Sequence, residues 1–178
     1  MRVHAVELDK SIETVEKLLC YFSSWDKLRK SVAYMLRFKT WLLNKVRRKL
    51  GQPEGRCSPI RGGVAVDEML IAEQKVLTVV QKKACPKEVK QLTEASLSDN
   101  AMTKSVNQSS SIRNLDPFMG DGLLRVGGCL RHACIEGEAR NPIILPKKAH
   151  VVDLLVRHYH AKVGHSGREH VLSLIREK

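Results

Sequence analysis

The chain has 178 residues, enough for one ordinary domain or two small ones; with 43% hydrophobic but only 4% aromatic residues it can build a thin core or several small ones. No run approaches the roughly 18 uninterrupted apolar residues of a membrane span, and the opening MRVHAVELDKSIE lacks the apolar block of a secretory signal. A soluble, intracellular protein is expected, and the formal net charge of +12 is compatible with a nuclear one.

Residues 24–50 read as one amphipathic helix with Ser24 at the N-cap. Trp25, Leu28, Val32, Met35, Leu36, Leu42, Leu43, Val46 and Leu50 recur at spacings of three and four, which sets them on one stripe. Lys27, Arg29, Lys30, Arg37, Lys39 and Arg47 fall mostly off that stripe, and Arg48 and Lys49 close the last turn, where the helix dipole favours cations. From Gly51 to Gly63 glycine and proline replace the apolar period, so a linker is predicted. A second helix follows over about Val66 to Ala84, with Met69, Leu70, Val76, Leu77 and Val80 inward. Pro86 ends it and starts a short third turn through Val89 and Leu92.

Thr93 to Ser111 is polar, serine-rich and aperiodic, the composition of a flexible loop. Asp116-Pro117 and Asp121-Gly122 are turn signals; Leu123–Val126 is a short strand ending at Gly127-Gly128, and Asn141–Pro146 is a second apolar strand. A helix runs from near Pro146 to about His160 through Val151, Leu154 and Leu155. Ser166 and Glu169 match a capping box and open a last helix through Val171, Leu172 and Ile175. The expected fold is mostly α with a small β element. Its predicted segments are a basic helical segment (1–50), a linker (51–63), a helical connector (64–92), a second linker (93–114) and a C-terminal unit (115–178).

Residues 23–50 hold nine Lys or Arg against the single acid Asp26. Such a density suits a polyanion, because each neutralised phosphate releases counterions; a solvated helix face inside a larger assembly has the same composition. The candidate nucleic-acid contacts are Lys27, Arg29, Lys30, Arg37, Lys39, Arg47, Arg48 and Lys49. The five cysteines are scattered and odd in number, and none has CxxC spacing, so reduced thiols are expected.

Leu115-Asp116-Pro117-Phe118, Asp121 through Gly128, and Pro142-Ile143-Ile144-Leu145-Pro146 resemble a signature of Pao/BEL-type LTR retrotransposon polyproteins. His160-Ala161-Lys162-Val163-Gly164-His165-Ser166-Gly167 is similar to the histidine half of the integrase zinc-binding domain in those elements. Upstream, Phe22-Ser23-Ser24-Trp25, Leu28, Ala33 and Leu36-Arg37-Phe38 are similar to the segment between their RNase H and integrase regions. The resemblance implies a non-catalytic polyprotein fragment related to the integrase zinc-binding region, whose parent acts in DNA integration, self-associates and contacts nucleic acid. A host-retained nucleic-acid-binding or interaction protein built on the basic helix is the alternative.

The resemblance implies zinc in the parent domain, with His160 and His165 as two of four ligands. A structural zinc site is closed and tetrahedral, and the family supplies two thiolates from a later CxxC pair that this sequence does not contain. A truncated half site that holds no zinc tightly is therefore expected. Cys129 and Cys134 are alternative thiolates, but their spacing of five matches no common zinc knuckle. Asp116 and Asp121 read as turn residues, and no GxSxG, P-loop or HExxH pattern occurs, so no catalytic residue is assigned.

Overall fold

The computed structural model describes residues 14–53, 62–97, 106–107, 109–128, 140–164 and 167–176. Among these described residues six helices carry the fold: α1 over 14–21, α2 over Trp25–Lys49, α3 over Val66–Ala84, α4 over Pro86–Leu97, α5 over His150–Lys162 and α6 over Arg168–Arg176. A hairpin joins them, formed by β1 (Phe118–Gly120) and β2 (Leu123–Arg125) in antiparallel register, with Met119 opposite Leu124. Mostly α with a small β element is what the periodicity predicts, and α2 and α3 fall on their predicted bounds.

Ser24 is the N-cap of α2, with an extended backbone (φ −135°, ψ 133°), although its hydroxyl makes no capping bond. Sequence patterning did not separate α1 from α2; Phe22-Ser23-Ser24 breaks the chain there. At the start of α3 the cap is half a capping box: the Glu68 carboxylate accepts the Ala65 N–H at 2.9 Å, and the Ala65 methyl can return nothing. Helix α4 runs past the predicted short turn, through Thr93 to Leu97, with Ala95 buried. That corrects the expected loop start at Thr93; residues 98–105 and 108 of the expected loop lie outside the described residues.

The second predicted strand, Asn141–Pro146, is not a full strand. It pairs with β2 through one bridge, Arg125 to Ile143, with Val126 N–H donating to the Pro142 carbonyl (2.9 Å) and Ile144 N–H to that of Leu124 (3.0 Å). Pro142 and Pro146 have no N–H to extend the ladder. Gln81 of α3 completes it. Buried to 3% exposure, its amide donates to the carbonyls of Leu124 (2.9 Å) and Ile144 (2.8 Å) and accepts the Leu124 N–H (2.8 Å). One helix side chain thus satisfies the Leu124 N–H and the Ile144 carbonyl and adds a second bond to the Leu124 carbonyl.

Turn chemistry matches the sequence reading. Asp116 (φ 46°) and Asp121 (φ 52°) both take the left-handed conformation that short polar side chains tolerate. Gly127 is required for space: a Cβ there would sit 2.4 Å from the Asp116 carbonyl oxygen.

The main core takes Leu19 from α1, Trp25 and Leu28 from α2, Val76, Leu77 and Val80 from α3, Leu123 from β2, Val151, Leu154, Leu155 and Tyr159 from α5, and Val171 from α6. A smaller cluster joins Val89, Leu92, Val106, Leu124 and Ile144. Residues on both sides of 93–114 share the main core, so among the described residues it does not divide at that segment. Within α2 the core ends early. Beyond Val32 the buried positions are Ala33, Arg37 and Asn44, whereas Met35, Leu42, Leu43, Val46 and Leu50 of the predicted stripe are exposed. Leu70 of α3, also expected inward, is exposed.

Candidate nucleic-acid interface

Nine cations lie on or beside one helix, but they divide into two chemical kinds. Arg37 is 7% exposed and reaches across to α3. Its Nε donates to Glu68 Oε1 at 3.0 Å and its Nη2 to Glu68 Oε2; Nη1 and Nη2 also donate to the carbonyls of Gly62 (3.3 Å) and Gly63 (3.0 Å). The fork geometry of a guanidinium suits this bidentate carboxylate. Arg37 thus ties α2 to the start of α3 and to the end of the linker before it.

Arg29, about two helical turns earlier, acts in the same way. Its guanidinium donates to Asp26 Oδ1 (2.6 Å) and Glu73 Oε2 (3.0 Å) and lies over the Trp25 ring. Burial works against the Arg29 charge, but the hydrogen bonds to Asp26 and Glu73 outweigh it and raise its pKa. The Arg29 hydrogen bond in turn lowers the pKa of Asp26, against a burial penalty and with help from His158, whose Nδ1 is 3.3 Å from Asp26 Oδ2. Ala33 and Ala72, both small and buried, lie between the two pairs along their helices.

Two of the eight candidate contacts are thereby set apart: Arg29 and Arg37 hold the helix pair together, with their hydrogen bonds spent on Asp26, Glu73, Glu68 and the Gly62 and Gly63 carbonyls. Lys27, Lys30, Lys39, Arg47, Arg48 and Lys49 are exposed, as expected. Lys45 joins them; it is exposed, with its ammonium 5.0 Å above the Trp41 ring. The sequence reading did not single out Lys45, although its position four residues beyond Trp41 was the available signal. From Lys27 to Pro53 there is no acidic residue, so that stretch supplies no carboxylate of its own to these seven cations.

His160 lies exposed in the last turn of α5, and His165 lies outside the described residues. No group of three or more His, Cys, Asp or Glu side chains able to hold a metal occurs among the described residues. Cys129 and Cys134 also lie outside them. The described residues therefore include only His160 of the expected zinc ligands and do not make up a site. Cys20 is exposed, whereas burial raises the pKa of the Cys85 thiol, with Glu88 adding to the effect.

Among the described residues no helix is long and apolar enough to cross a membrane. Comparison with known proteins found no matching family model, no similar curated protein and no similar solved structure.

Proposed function

We propose that the chain is a non-catalytic piece of a Pao/BEL-type retrotransposon polyprotein, related to the region that leads into the integrase zinc-binding domain. Its contribution is contact with nucleic acid through Lys27, Lys30, Lys39, Lys45, Arg47, Arg48 and Lys49. The single observation that carries the contact is their exposure on one 25-residue helix. Cations so placed attract phosphates without reading bases, so binding is sequence-tolerant and salt-dependent.

Support for the origin comes from the three sequence blocks in their order. The described residues 115–128 and 140–146 that carry two of those blocks also pack on one another: Gly127 lies against Asp116, and Pro142–Ile144 against β2. In this reading His160 and His165 would be two of the four ligands of a structural zinc in the parent domain, with two thiolates as the others. The genomic neighbourhood tests the origin. Reading frames for a reverse transcriptase upstream and an integrase core downstream are expected. An isolated, spliced and expressed gene would contradict it and favour a host-retained binding protein.

A further inference from the structure

The second half of α2 is packed with its apolar side outward. At about 100° per residue, Ala33, Arg37, Thr40 and Asn44 share one side of the helix, and that side is turned to the protein: Ala33, Arg37 and Asn44 are buried. Met35, Phe38, Leu42 and Val46 project from the opposite side and are 51%, 52%, 42% and 54% exposed. In the first half, Trp25 and Leu28 lie in the core; past Val32 the packing seam rotates by about a third of a turn, drawn by the Arg37–Glu68 pair. An apolar stripe at helical spacing that faces away from its own core is the form of a helix that packs on something else.

Charge selects the occupant. Lys39, Lys45 and Lys49 are interleaved with the stripe, and all three are exposed. A second copy of the same face would bring like charges within the roughly 10 Å over which salt leaves them unscreened. A nucleic acid can neutralise these lysines, as in the proposed function, but it would leave the four large apolar side chains in water, so it accounts for the cations and not for the stripe. A bilayer takes basic helices whose cations lie on the face away from the lipid; here the face away from the stripe is turned to the core, and the lysines sit within the apolar side. A protein helix can set a carboxylate against each lysine and an apolar residue against each gap.

We propose that the stripe Met35–Phe38–Leu42–Val46 docks an acidic amphipathic helix of another protein, with Lys39, Lys45 and Lys49 pairing its flanking Asp or Glu side chains. This does not rest on the retrotransposon origin or on nucleic-acid binding. The test uses the full chain and a small panel of labelled synthetic helices with a leucine seam and glutamate flanks, followed by fluorescence anisotropy. Twins with lysine flanks, mixed phosphatidylserine–phosphatidylcholine vesicles and a mixed-sequence DNA duplex are run in parallel.

The glutamate-flanked helices should bind and the lysine-flanked twins should not. The double substitution Phe38→Ser with Leu42→Ser removes two exposed anchors, so the thermal transition should stay in place while affinity for the helices falls about tenfold or more. Duplex binding should be unchanged by it. Failure of every glutamate-flanked helix to bind, or equal binding by the substituted chain, would overturn the proposal. Vesicle binding or dimerisation that the same substitutions abolish would overturn it too, by assigning the stripe to a membrane or to a second copy. Duplex binding lost on the same substitutions would overturn it as well, by assigning the stripe to nucleic acid, whereas failure of the parent chain to bind the duplex would count against the nucleic-acid reading alone.

Discussion

Replacing Arg37 with Gln should destabilise the protein while leaving the proposed affinity for DNA intact. The Arg37 side chain is 5% exposed and that of Glu68 is 19% exposed, so the pair is largely shielded from water. Breaking a buried pair by removing one partner costs about 3–5 kcal/mol, because the other charge stays behind without compensation. Two features reduce this: Glu68 is partly solvated and keeps the Ala65 N–H, and Gly62 and Gly63 are exposed, so water can replace the guanidinium at their carbonyls. About 2–4 kcal/mol remains, a large fraction of the roughly 5–15 kcal/mol that holds an ordinary domain together. Urea unfolding followed by circular dichroism measures it, and Arg37→Met with Glu68→Leu should recover much of the loss, since neither charge is then stranded. If Arg37→Gln costs less than about 1 kcal/mol, as a surface change does, and instead weakens DNA binding, the inward placement of Arg37 is wrong.

Gln81→Ala strips a buried N–H at Leu124 and a buried carbonyl at Ile144 of a partner, which should cost about 2–4 kcal/mol. Hydrogen exchange at the Leu124 amide should accelerate with it, and unchanged exchange would refute the role. Asp26 has a lowered pKa, so its stabilisation is full above the ordinary aspartate value of about 3.9 and is lost as pH falls below it. Acid unfolding of Asp26→Asn should accordingly be shallower in that range than that of the parent; identical acid limbs would contradict the Arg29 and His158 contacts. If His160 and His165 are half a ligand set, as proposed, adding zinc should leave the thermal transition nearly in place, whereas a chain extended by a CxxC-bearing segment should be strongly stabilised. Tight stoichiometric zinc in the 178-residue chain would instead point to Cys129 and Cys134 as ligands.

Local signals made much of the fold legible. Ser24 and the glycines after Leu50 bound α2, Pro86 separates α3 from α4, and the Asp-Pro and Asp-Gly pairs mark the turns around β1 and β2. Those signals depend on the backbone preferences of a few adjacent residues. The rotation of the packing seam in α2 depends on where α3 crosses it, and that is set by Glu68 and Glu73, more than thirty residues away. Apolar period alone therefore placed Met35, Leu42 and Val46 inward and Arg37 outward. Gln81 was hidden for the same reason: its partners are Leu124 and Ile144, and a glutamine on a helix reads as solvated until a strand edge is set beside it. In the candidate interface, composition identified the helix, but only packing separates the cations that build it from those that face solvent.

The salt dependence of duplex binding tests that separation most directly. Lys39, Arg47 and Lys49, all exposed, are replaced together by Gln, and affinity for a mixed-sequence duplex is measured across a range of salt. Each phosphate contact contributes about 0.9 to the slope of log affinity against log salt. The triple substitution should therefore flatten the slope by roughly 2–3 if all three contact phosphate, weaken binding to every sequence alike and leave thermal stability in place. An affinity and slope identical to those of the parent chain at low salt would show that these cations only solvate the helix, and the proposed nucleic-acid contact would fall.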